Sequence, residues 1–149
     1  MGWFSRIKEW ATRDPIGRVE DDQLGPLVLN DGGTDGCWMA RVTWQGRPVT
    51  IEIGGWYEPD SALVARARTL LAGFDRFAAE VGGFLVAEAG QAEWAVFADE
   101  IRSLVIRDVC LFWPRRPEDG MVYFDGPTEW RCWRCDIIGR RLTCLGFDR

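Results

Sequence analysis

Apolar and polar positions along the chain change period several times, and each change marks an element. Residues 3–11 set Trp3, Phe4, Ile7, Trp10 and Ala11 at helical spacing before Asp14-Pro15 ends the pattern, predicting a short amphipathic helix docked on the domain's own core, with a membrane surface or a partner as the alternative contact. Residues 24–29 read as a short strand and residues 30–36 as a polar loop. Residues 37–44 and 47–53 are β-rich runs separated by Gln45-Gly46, the two-residue spacing of a hairpin. From Asp60 the period lengthens: Leu63, Ala67, Leu70, Leu71, Phe74, Phe77, Ala78 and Val81 form a helical stripe that starts at Pro59 or Asp60 and is expected to break at Gly82-Gly83. A second helix is predicted over residues 92–103, with Trp94, Phe97, Ala98 and Ile101 as its apolar side. Strands are predicted over 104–113, 121–124, 130–138 and 142–145.

Strands consecutive in sequence with short connections pair antiparallel. The order therefore predicts an α+β fold: a largely antiparallel sheet, or a strongly bent one, with two or three helices packed on one face. A length of 149 residues fits one core. The expected organisation is an N-terminal helical segment over residues 1–13 and a single domain over 14–149.

Charge narrows the range of partners. The net charge is −5, and residues 1–60 carry ten acidic against six basic side chains. That balance disfavours nonspecific binding of nucleic acid or anionic lipid and favours a basic protein partner. No apolar run approaches the ~20 residues of a membrane-spanning helix, and residues 1–10 lack the apolar core of a signal peptide. The five cysteines are odd in number and mostly lie in apolar, strand-like runs, as free thiols in a reducing cytoplasm do. Lys8 is the one lysine among eighteen basic side chains, the usage of a GC-rich bacterial genome.

Most catalytic templates lack their parts. Histidine is absent, which removes Ser-His and Cys-His pairs and imidazole ligands. Lys8 in the N-terminal segment is no carrier for Schiff-base or P-loop chemistry. Cys132-Trp133-Arg134-Cys135 spells C-x-x-C, but on a strand side chains three apart point to opposite faces, so the thiols are expected to diverge. The loop 31–36 fails the EF-hand pattern at Gly33 and Val42. The paired glycines never form a dinucleotide fingerprint. No catalytic residue, metal ligand or cofactor is assigned. Glu58-Pro59-Asp60 reads as a helix entry, and nothing selects one carboxylate pair from the 23 acidic residues for glycosidase-type chemistry.

Nine tryptophans are many for this length, and tryptophan and arginine are the residues that anchor protein interfaces. Trp130, Arg131, Trp133 and Arg134 interleave the two types and are the candidate partner-binding residues. Strand alternation puts Trp130, Cys132 and Arg134 on one side, and Arg131, Trp133 and Cys135 on the other.

Leu24-Gly25-Pro26-Leu27, Trp38-Met39-Ala40-Arg41-Val42, Gly46-Arg47-Pro48-Val49 and Met121-Val122-Tyr123-Phe124-Asp125-Gly126, in that order around the hairpin and paired helices, resemble the bacterial uncharacterised proteins of domain of unknown function family 2262 and its relatives. The likeness covers about residues 14–149, and a histidine expected within 130–138 is missing. It implies no established reaction and no catalytic residues. By analogy, some similar small acidic bacterial domains are immunity proteins that mask a toxin. The sequence thus predicts a cytoplasmic, non-catalytic protein-binding module, with immunity as its sharpest form. The alternatives are a carboxylate-dependent hydrolase and a structural homo-oligomer subunit.

Overall fold

The computed structural model describes residues 17–30 and 36–148. The predicted helix over 3–11 and most of the loop 31–36 lie outside them.

Eight strands form one sheet in sequence order: β1 (Arg18–Asp21), β2 (Gly25–Leu29), β3 (Cys37–Trp44), β4 (Arg47–Gly54), β5 (Val105–Leu111), β6 (Gly120–Asp125), β7 (Cys132–Ile138) and β8 (Arg141–Asp148). Every neighbouring pair is antiparallel except β4 and β5, which run parallel. A parallel pair needs a long crossover, and the helices supply it: α1 (Ser61–Ala72), α2 (Phe74–Ala89), a 3-10 segment (Ala92–Phe97) and α3 (Ala98–Ser103) all lie between β4 and β5. The expected α+β fold with a largely antiparallel sheet is present.

Alternation makes the core. Trp38 and Ala40 on β3, Val49, Ile51 and Ile53 on β4, Val109 and Leu111 on β5, Val122 and Phe124 on β6, and Trp133, Cys135 and Ile137 on β7 are buried and cluster with Leu63, Ala67, Val81, Leu85 and Ile101 of the helices. Each large side chain removed from water in this way contributes roughly 2–3 kcal/mol. The intervening residues, Cys37, Met39, Glu52, Asp108, Cys110, Met121, Tyr123, Cys132, Arg134 and Asp136, occupy the other face of the sheet.

One sequence expectation is overturned, and one strand lies where none was predicted. The long helix breaks at Gly73, and α2 runs straight through Gly82-Gly83. Val81, Leu85 and Ala89 bury one stripe of α2 on both sides of the glycine pair, and packing of that stripe outweighs about 1 kcal/mol of lost propensity per glycine. The strand β1 has the sequence Arg-Val-Glu-Asp, with no apolar alternation to reveal it; among the described residues it is the sheet edge and pairs only with β2. Charged side chains suit such an edge because they discourage further strand addition.

Candidate functional site

Parallel strands deliver their carboxyl ends to one place, and there the chain leaves β4, passes through residues 55–60 and enters α1. A cleft of about 910 Å³ opens at this point. Its inner wall carries Cys37 and Glu52 from β3 and β4, and Phe112 and Pro114 follow β5 on one side. Trp56, Tyr57, Glu58 and Asp60 come from the β4–α1 connection. Trp56 and Tyr57 are 74% and 98% exposed.

The connection is held in shape by backbone contacts. Asp60 caps α1, its Oδ1 accepting from the amides of Ala62 at 2.9 Å and Leu63 at 3.1 Å, while its own amide donates to the Gly54 carbonyl at 2.9 Å. The buried Trp38 donates from Nε1 to the Gly55 carbonyl at 3.1 Å. Gly55 has φ +147°, and a Cβ there would stand 2.1 Å from the Glu58 carbonyl oxygen, so glycine alone fits this corner. Two exposed aromatics therefore stand on a fixed base.

Two thiols converge on one carboxylate oxygen at the inner wall. Cys37 Sγ and Cys110 Sγ lie 3.6 and 3.5 Å from Glu52 Oε2, donated from the strands on either side of β4. Burial first, and then the charge of Glu52, push the Cys37 thiol up to about 12; the same causes raise Cys110. Both therefore stay protonated and act as donors, the opposite of an activated nucleophile. They cannot form a disulfide without backbone movement, because β3 and β5 are separated by β4 and strand spacing puts their Cα atoms roughly 9–10 Å apart. All five cysteines are free. Among the described residues no group of three or more cysteines and carboxylates is arranged to hold a metal. Both thiols bond to Oε2 of Glu52, whose side chain lines the cleft. The cleft lining combines the carboxylates of Glu52, Glu58 and Asp60 with the aromatic rings of Trp56, Tyr57 and Phe112.

The four candidate residues of the sequence reading separate. Trp133 is fully buried and donates from Nε1 to Glu100 Oε1 at 2.8 Å, so it belongs to the core and presents no surface. Arg131 is held by Glu100 through Nε and Nη2 at 3.0 and 2.9 Å, with its guanidinium carbon 5.1 Å from the centre of the Phe97 ring. Arg134 lies on the opposite face of the sheet, ion-paired with Asp136 at 3.6 Å and Asp148 at 3.4 Å. Trp130 alone is widely exposed, at 72%, in the turn before β7. The alternation expected for Cys132 and Cys135 is present: Cys135 is in the core, pushed up to about 12 by burial, and Cys132 is on the other face. The C-x-x-C string is a strand.

Reading Glu58-Pro59-Asp60 as a helix entry passes over Trp56 and Tyr57 just before it. The signal for them in the sequence is a pair of aromatics in a connection bounded by Gly54-Gly55 and Pro59, since large rings in loops have no local structural reason.

Fold and site together define an α+β protein with an open aromatic and acidic cleft at the head of the parallel β4–β5 pair. No protein-family model, curated protein or solved structure matches the chain. Among the described residues no helix is long and apolar enough to cross a membrane.

Proposed function

We propose that this protein is a non-catalytic protein-binding module, acting in the bacterial cytoplasm, that receives a basic segment of its partner in the cleft formed by Glu52, Trp56, Tyr57 and Glu58. Masking a basic toxin is the sharpest form of this reading. The observation that carries it is the pair Trp56 and Tyr57, largely exposed beside carboxylates on a braced connection. Leaving two large rings in water is unfavourable unless an occupant covers them. An arginine or lysine side chain suits both parts of the cleft, stacking its cation on the rings and directing its donors at Glu52. The net charge of −5 adds long-range attraction for such a segment.

A short peptide carrying two arginines, titrated into the protein at low ionic strength and followed by nitrogen–proton NMR, tests the reading. The Trp56 indole and the amides of residues 54–61 are expected to shift saturably, and Trp56→Ala to weaken binding about fivefold, equivalent to about 1 kcal/mol. Added salt lowers the affinity without moving the site. Shifts spread evenly over the acidic surface and indifferent to Trp56→Ala overturn the proposal.

A further inference from the structure

Two guanidinium groups share one carboxylate on the flank of α1. Arg140, in the β7–β8 turn, engages Glu118 through both oxygens: its Nε meets Oε2 and its Nη2 donates to Oε1 at 2.9 Å. Arg66 reaches the same carboxylate from α1. Its Nε lies 3.5 Å from that same Oε2, and its side chain is only 12% exposed. This nitrogen is buried with no hydrogen-bond partner among the described residues. Burial presses the Arg66 guanidinium toward losing its charge; Glu118 opposes this and Arg140 adds to it. One carboxylate thus serves two cations, of which Arg66 is mostly buried and Arg140 largely exposed.

Arg66 and Arg140 both line a cavity of about 310 Å³, with Leu70 and Phe77 as its apolar side. Arg76 and Glu80 also line it, but they pair with each other at 3.2 Å, with Arg76 87% exposed, so together they add no net charge. Arg66 and Arg140 carry two positive charges against the one carboxylate of Glu118, and the guanidinium edges that Glu118 leaves unused can match an oxyanion through paired donors.

We infer that this cavity binds a small oxyanion of the phosphate class between Arg66 and Arg140. The site is separate from the aromatic cleft, lies farther along α1, and takes a ligand of opposite charge. Inorganic phosphate and the phosphoryl group of a small phosphomonoester present the same chemistry to it.

The test titrates sodium phosphate, and separately glycerol phosphate, into the full chain at constant ionic strength set with chloride. Thermal unfolding and the Nε–H resonances of Arg66 and Arg140 provide the readouts. A saturable rise in Tm with saturable shifts of both resonances is expected. Arg140→Gln, a change at an exposed turn, should weaken binding at least tenfold. Arg66→Met, which keeps the buried stem, should abolish the saturable rise while melting no lower than wild type in chloride. Tighter binding of glycerol phosphate assigns the site to a phosphomonoester, and tighter binding of inorganic phosphate assigns it to the free ion. Equal responses of wild type and Arg140→Gln, or shifts no larger than chloride produces, overturn the inference.

Discussion

Arg131 lies against Glu100 with two parallel hydrogen bonds of 3.0 and 2.9 Å, joining the entry of β7 to α3. Trp133 adds a third donor to the same carboxylate, and the ring of Phe147 flanks the guanidinium with 5.7 Å between its centre and the guanidinium carbon. An arginine-tryptophan motif that reads as an exposed interface is therefore largely an internal clasp. Glu100 is 11% exposed on its side chain, so losing its charge leaves a half-buried guanidinium and an indole N–H under-partnered. Glu100→Gln is expected to cost about 3 kcal/mol in urea unfolding at neutral pH. Trp130→Ala, outside the clasp's carboxylate, should change stability by no more than about 0.5 kcal/mol. Equal losses in the two variants would show that the clasp does not carry this part of the fold.

Acid should act on three ion pairs together. Hydrogen bonds from Arg68 hold the Asp21 carboxyl down at about 2, against its ordinary 3.8; Arg131 lowers Glu100, and Arg140 lowers Glu118. A carboxyl whose titration is depressed in the fold favours the folded state above its unfolded value, and that contribution is lost as pH falls through the folded value. Stability is thus expected to be level from pH 7 to about 5 and to fall between about 4 and 2. Asp21→Asn should flatten part of that fall while lowering stability at neutral pH. Chemical denaturation at half-unit pH steps measures both.

Gly55 fixes the corner from which Trp56 and Tyr57 project. Its φ of +147°, and the 2.1 Å that would separate a Cβ at this position from the Glu58 carbonyl oxygen, leave a side chain no room. Gly55→Ala is expected to destabilise the protein by about 2 kcal/mol and to weaken arginine-peptide binding in step, because the aromatics lose their base. An alanine variant with unchanged stability and unchanged peptide affinity would show that the corner tolerates a Cβ.

Thiol reactivity should follow burial. Cys144 is exposed on β8, Cys37 and Cys132 are half-buried, and Cys110 and Cys135 are buried. A disulfide reagent at pH 8 is expected to give one fast equivalent that Cys144→Ser removes. Cys110 and Cys135 should react only as the protein unfolds, at a rate that tracks denaturant. Fast native-state labelling of Cys110 would contradict its place behind Glu52.

Features governed by neighbours in sequence are legible directly. The β3–β4 hairpin is the clearest case: alternation marks both strands, and Gln45-Gly46, with φ of +48° and +74°, forms the left-handed two-residue turn that such a strand pair requires. The cap at Asp60 and the divergence of Cys132 from Cys135 follow from equally local rules. Tertiary structure decided what depends on distance. Gly73, not Gly82-Gly83, breaks the helix because the buried stripe of Val81, Leu85 and Ala89 holds α2 together. Charged β1 is a strand because β2 offers it a ladder. Cys37, Glu52 and Cys110 meet only because a helical crossover returns β5 parallel to β4, and Arg66 meets Arg140 over Glu118 only because the β7–β8 turn folds back on α1. Hydrophobic period and turn chemistry act within a few residues and leave their mark in the sequence, whereas strand order and shared counter-charges arise from contacts between distant segments and leave none.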